Sequence, residues 1–176
     1  MSKRALTKYL QELPKEELEL QILDLYNRLK EVKTFYDFVF NPKEEKLFED
    51  AKLKIALEYF PAGRRKRAKM RRTVASKLIK HFVQLGADPV RILDLMLFHI
   101  QTAQAYSLER PIYLESFYKA MLKSFEDALE FARANGIELD FKNRFEGIMK
   151  EAIDQDWINA EGFERVLMPK AIRSEF

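Results

Sequence analysis

The sequence contains no cysteine, and only two of its residues are histidine. Without thiols the chain cannot form disulfides, thiolate zinc or iron–sulfur sites, or a cysteine nucleophile. Glycine and proline are also scarce, at 5 and 6 of 176 residues. This scarcity disfavours β-sandwiches and β-barrels, because those folds need many turns.

Long hydrophobic runs are missing as well. No segment approaches the roughly 18 consecutive apolar residues of a membrane-spanning helix. The chain starts with basic residues, but no apolar stretch of signal-peptide length follows them. We therefore expect a cytoplasmic protein that does not associate with a membrane.

The common glycine-rich and nucleophile motifs are absent too. Gly-x-Gly-x-x-Gly, Gly-x-x-x-x-Gly-Lys-Ser/Thr and Gly-x-Ser-x-Gly do not occur, and neither histidine has the spacing of a metal-binding pair. We expect no metal, no cofactor and no catalytic residue, which favours a protein that is not an enzyme. An enzyme would instead need a pocket that holds His99 or Asp94 together with an acid of strongly shifted pKa.

What the sequence does contain is helical periodicity. Apolar residues make up 47% of the chain, and they recur at helical spacing, as Leu18, Ile22 and Leu29 do. Short connections with proline or glycine separate these stripes. The sequence predicts an all-α fold of seven or eight helices in a single domain over 1–168, with a C-terminal tail over 169–176. A compact bundle and a short irregular solenoid both fit such connections.

One helix is expected at the centre of the fold, because residues 88–106 are apolar over most of the helical circumference. Asp88 is its predicted N-cap, Pro89 follows at the first helical position, and the preceding helix stops at Gly86. His99 falls near the buried side, so we predict a core histidine with a hydrogen-bond partner. Asp94 is a candidate for a buried polar group on the same helix.

Positive charge is concentrated in residues 61–87, which we call the basic segment. It carries nine Lys or Arg residues and no acid, whereas the rest of the chain is net acidic. Its first part, 61–72, is a predicted loop whose guanidinium and ammonium groups are suited to bind phosphate. The predicted nucleic-acid-binding residues are Arg64, Arg65, Lys66, Arg67, Lys69, Arg71, Arg72, Lys77 and Lys80.

The leading hypothesis is a binding protein whose loop 63–72 engages nucleic acid. Structured RNA is favoured over DNA, because the loop is compact and no groove-reading helix stands out. Tyr59 and Phe60 precede the loop and could stack on unpaired bases. Three alternatives stay open for the loop: binding to an acidic protein partner, solvation without a ligand, and docking on the acidic remainder of the chain.

Aromatic residues support the second hypothesis, a helical protein–protein interaction module. Most of the rings around residues 32–48 are expected in the core, but any left exposed would mark a protein-binding groove. This aromatic group consists of Phe35, Tyr36, Phe38, Phe40 and Phe48. The sequence carries no signal for a particular oligomeric state.

Several stretches are similar to those of a protein family. They are MSKRALTKYL at Met1–Leu10, PKEELELQILDL at Pro14–Leu25, YDFVFN at Tyr36–Asn41 followed by Pro42, KLIKHFVQLG at Lys77–Gly86 and DLM at Asp94–Met96. On these stretches the chain resembles a family of small helical bacterial proteins of unknown function. The resemblance covers most of the chain and implies an all-helical cytoplasmic protein, but it carries over no activity, substrate or catalytic residue.

Overall fold

The computed structural model describes residues 2–40, 44–63 and 67–168. Within these ranges the chain forms α-helices, one short 3-10 turn at Leu139–Phe141 and no β-strand, which confirms the all-α fold class. None of the described helices combines the length and the hydrophobicity that crossing a membrane requires. The helices are α1 (Lys3–Glu12), α2 (Lys15–Arg28), α3 (Lys30–Phe40), α4 (Glu44–Tyr59), α5 (Arg72–Leu85), α6 (Pro89–Glu109), α7 (Glu115–Ala134), α8 (Lys142–Asp154) and α9 (Ala160–Leu167).

These helices group into two compact units, with the boundary between Glu44 and Glu45. Unit 1 contains α1 to α3 together with Glu44, the first residue of α4. Unit 2 contains the remainder of α4 and all of α5 to α9. The single domain over 1–168 stays a prediction. The predicted tail over 169–176 lies outside the described residues.

Unit 1 is built from three amphipathic helices with little buried surface. The side chain of Ser2 caps α1 by accepting a hydrogen bond from the backbone N–H of Ala5 at 3.3 Å. α2 packs on α3, and the two are separate because Leu29 leaves the helical conformation, with φ −112° and ψ 114°. Phe38 is the one residue of described unit 1 that is buried.

Unit 2 is organised around α6, as the apolar circumference of that helix predicts. α6 packs against α5, α7 and α8, and eleven of its 21 residues are buried. The predicted caps are confirmed: Asp88 accepts a hydrogen bond from the Val90 N–H at 2.9 Å. Gly86 ends α5 in the left-handed region with φ 69°, where glycine has no steric penalty.

Aromatic rings from α7, α8 and α9 form a cluster in the unit 2 core. Phe125 of α7 lies 5.5 Å from Phe145 of α8 and 5.0 Å from Phe163 of α9, measured between ring centroids. Gly162 allows α9 to approach α7 closely, since a Cβ at that position would lie 2.6 Å from a methyl carbon of Leu122. These contacts fix three helices around one buried cluster.

Candidate functional site

The end of the predicted basic loop is anchored to α4 through Glu58. The backbone N–H groups of Lys69 and Met70 donate to the Glu58 carbonyl oxygen at 2.9 and 3.0 Å. The Arg71 guanidinium donates to both carboxylate oxygens of Glu58, from Nε at 2.9 Å and from Nη2 at 2.7 Å. These hydrogen bonds from Arg71 hold the pKa of Glu58 below its ordinary value.

We expect Glu58→Gln to lower the free energy of unfolding by about 1–2 kcal/mol, because a bidentate, charge-assisted pair is lost while the backbone bonds remain. Urea denaturation followed by circular dichroism measures this change. Glu49→Gln is the matched control, since Glu49 is exposed and its ion pair among the described residues is with Lys52 at 3.4 Å; its effect should stay within about 0.5 kcal/mol. Equal effects of the two substitutions would contradict the anchoring role.

Arg72 is held inside unit 2 as well. Its Nε donates to Ser124 Oγ at 2.9 Å and its Nη2 donates to Asp127 Oδ2 at 2.5 Å. Asp127 also pairs with Lys123 at 3.0 Å. Docking on acidic residues of the same chain, one of the alternatives left open for the loop, is therefore observed for Arg71 and Arg72.

Four further cations of the basic segment remain exposed in the structure. They are Arg67, Lys69, Lys77 and Lys80. In the part of the chain that the structure describes, none of them forms an ion pair. Lys77 and Lys80 lie three residues apart and so share a face of α5. Arg64, Arg65 and Lys66 lie outside the described residues.

The prediction that Tyr59 stacks on bases is wrong. Tyr59 is only 1% exposed, and its hydroxyl forms a hydrogen bond with His99 Nε2 at 2.9 Å. A ring in this position is part of the core and unreachable for a nucleobase. Phe60 is 40% exposed and packs edge-to-face on Tyr106 with a centroid distance of 5.6 Å.

His99 is the predicted core histidine, and Tyr59 is the partner that satisfies it. Burial, and secondly the positive charge of Arg72, lower the pKa of His99 to about 4. The imidazole is therefore neutral at physiological pH. Its other ring nitrogen, Nδ1, has no hydrogen-bond partner among the described residues.

A cavity of about 400 Å³ opens above this histidine between three helices. Its floor consists of His99 and Met96 of α6, and α7 contributes Ser124 and Asp127. The remaining lining comes from α5, namely Arg72, Ser76, Ile79, Lys80, Val83 and Gln84. No local pattern in the sequence indicates this site, because its residues are up to 55 positions apart and meet only through helix packing.

Asp94 is not among the residues that line this cavity. It bridges two other helices, since Lys52 of α4 and Arg144 of α8 donate to it at 2.9 and 2.5 Å. Burial raises the pKa of Asp94, but hydrogen bonds from these two cations outweigh that effect and bring its pKa below the ordinary value. Asp94 is therefore an interhelical ion-pair residue.

The aromatic group divides between core and surface. Phe38 and Phe48 are buried, whereas Phe35 and Phe40 are 38% and 78% exposed. Within unit 1, a groove of about 520 Å³ runs between α2 and α3, with Phe40 at its edge. The other residues that line the groove are Glu19, Ile22, Leu23, Tyr26, Tyr36 and Asp37.

No group of three or more His, Asp or Glu side chains in the described ranges is arranged to hold a metal ion.

Of the comparisons with known proteins, one gives a match. No curated protein and no solved structure matches the chain. One family model matches residues 1–169, nearly the whole sequence. The chain therefore belongs to the family of unknown function DUF6155.

Proposed function

We propose that this protein is a non-enzymatic binding protein whose basic segment engages nucleic acid, with structured RNA favoured over DNA. The observation that supports this proposal is the exposure of Arg67, Lys69, Lys77 and Lys80 without an ion pair to any described residue. Unpaired cations at this density repel one another, so a polyanion that brings phosphates to them gains affinity.

The binding mechanism is phosphate neutralisation on a partly fixed scaffold. Glu58 holds the backbone of Lys69 and Met70, so the charges next to them are presented at a defined place on unit 2. From Arg72 to Lys80 the basic segment continues along α5 for about 12 Å. Arg71 and Arg72 contribute mainly by shaping the segment, because Glu58 and Asp127 already neutralise them.

The test is RNA binding by a variant in which the four exposed cations Arg67, Lys69, Lys77 and Lys80 are replaced by Gln. Fluorescence anisotropy is measured with single-stranded RNA, a structured RNA hairpin and duplex DNA over a salt series. For single-stranded RNA, losing four phosphate contacts should reduce the slope of log K against log salt by about 3. The hairpin should bind more tightly than the duplex DNA.

A control variant with the same change in net charge distinguishes binding at the basic segment from attraction of RNA by the overall charge of the protein. It replaces Lys46, Lys54, Lys142 and Lys150, which are exposed outside the basic segment, and it should bind RNA as the wild type does. Equal weakening by both variants, or no salt-dependent binding by the wild type, would overturn the proposal. In the latter case an acidic protein partner becomes the next ligand to test.

A second candidate function, a helical protein-interaction module, has support from the groove of unit 1. Ile22, Leu23 and Phe40 are all more than 40% exposed around it. An apolar groove between two helices accepts the apolar face of an amphipathic helix from a partner. Exposed apolar surface of this kind is typical of binding sites on soluble proteins.

This second function is tested by photo-crosslinking from the position of Leu23 in cells. A crosslink to an amphipathic helical segment of another protein, mapped by mass spectrometry and lost in Ile22→Glu, would support the module. The same crosslinker at Glu12, which does not line the groove, is the control. Identical crosslinking from both positions would argue against a specific groove partner.

A further inference from the structure

We propose that the cavity between α5, α6 and α7 binds a small molecule with an aliphatic body and one anionic head group, as in a medium-chain carboxylate. This inference concerns a separate ligand and does not depend on nucleic-acid binding. It rests on the shape of the cavity, the chemistry of its walls and the charges at its rim.

The walls fit an aliphatic body. Ile79 and the half-exposed Val83 of α5 and Met96 of α6 line the cavity, and His99 is the one ring among the described residues that line it. A nucleobase site would present exposed aromatic rings for stacking, whereas the ring of His99 in this lining is only 2% exposed. At about 400 Å³ the volume falls in the range of small-molecule sites, which combine mainly apolar walls with a few placed polar groups.

The rim fits an anion. Lys80 is exposed there and forms no ion pair with a described residue, whereas Arg72 pairs with Asp127, the one acid among the described residues that line the cavity. Asp127 is already neutralised by Arg72 and by Lys123. Arg72 uses Nε and Nη2 for Ser124 and Asp127, so Nη1 keeps its donors for a ligand, and exposed Lys80 supplies the second cation.

The floor adds one polar group to the site. His99 is 2% exposed and lines the cavity, with Nε2 bonded to Tyr59 and Nδ1 without a partner among the described residues. A ring nitrogen that lines the cavity favours a ligand that carries a hydrogen-bonding atom beyond its head group, such as a hydroxyl. The cavity thus combines exposed positive charge, aliphatic side chains and a buried imidazole.

The experiment uses octanoate as the probe, with octanol and octylammonium for comparison. Titration of the full chain with labelled Ile, Val and Met methyl groups is followed by NMR. Octanoate should shift the methyl signals of Ile79, Val83 and Met96, but not that of Ile22 in the unit 1 groove. Octanoate should bind at least about threefold tighter than either comparison probe, since only its charge complements the rim.

Two exposed lysines on the same helix provide a matched pair of variants. Lys80 lines the cavity and Lys77 does not. Lys80→Gln should weaken octanoate binding about three- to fivefold, as expected for one exposed ion pair, whereas Lys77→Gln should leave it unchanged. Ser76→Phe, which fills the cavity from α5, should weaken binding at least about tenfold.

Three results would overturn the proposal. They are the absence of methyl shifts in unit 2 at octanoate concentrations up to about 5 mM, tighter binding of octylammonium than of octanoate, and equal effects of Lys77→Gln and Lys80→Gln. If Ser76→Phe fails to fold, the two lysine variants still decide the outcome, because both side chains are exposed. RNA binding is measured separately, so the two proposals fail independently.

Discussion

We expect Phe125→Ala to lower the free energy of unfolding of unit 2 by about 3–5 kcal/mol. Phe125 is 0% exposed and packs between Phe145 and Phe163 of two other helices. Its truncation removes apolar burial and leaves a cavity that three helices cannot close without moving. Since domains are typically stable by about 5–15 kcal/mol, this loss removes at least about a fifth of the free energy of unfolding.

The measurement uses the single tryptophan of the chain. Trp157 is buried and lies 5.7 Å from Phe163 between ring centroids, so its fluorescence reports on this cluster during urea denaturation. Tyr113→Ala is the control, because Tyr113 is 91% exposed and its loss should change stability by no more than about 0.5 kcal/mol. A loss below about 1 kcal/mol for Phe125→Ala would contradict the packing of α7 against α8 and α9.

Local signals in the sequence predict most of the helices and their ends. Asp88 and Gly86 act at the positions expected of them, because a cap depends on the residues within one turn of it. The central place of α6 is predictable for a similar reason: a helix with apolar residues nearly all round has to be surrounded by other helices.

Breaks between adjoining helices are harder to predict. The sequence predicts seven or eight helices, whereas the described residues form nine, and one of the breaks falls at Leu29 between α2 and α3. Leucine is a good helix former, so no local signal marks this break.

Hydrogen bonds and ion pairs between helices explain why the candidate site differs from the site that the sequence predicts. The basic segment can be recognised from its amino-acid composition. Its ion-pair partners cannot, because Glu58 lies 13 positions from Arg71 and Asp127 lies 55 positions from Arg72. Any of the many acids in the chain could have taken these roles. The hydrogen bond of Tyr59 to His99 spans 40 positions, and for that reason a tyrosine predicted to stack on bases lies in the core.

Acidification is expected to destabilise unit 2 through His99. Its pKa is lowered to about 4 in the folded protein, whereas an unfolded histidine has a pKa of about 6.5. Between these two values the unfolded chain binds a proton that the folded chain does not, so stability falls as the pH decreases. Through His99 the free energy of unfolding should fall by about 3 kcal/mol between pH 7 and pH 4, and about 2 kcal/mol of this is lost by pH 5.

The contribution of His99 is isolated by comparison with His99→Gln, because carboxylates such as Glu58 and Asp94 titrate at low pH in both proteins. At pH 7 the wild type should be the more stable, and the difference should shrink by about 3 kcal/mol on going to pH 4. His81→Gln is the control, since His81 is the other histidine and is exposed on α5; this substitution should change the free energy of unfolding by no more than about 0.5 kcal/mol. A His99→Gln curve parallel to that of the wild type would show that the imidazole is not held neutral by burial beside Tyr59 and Arg72.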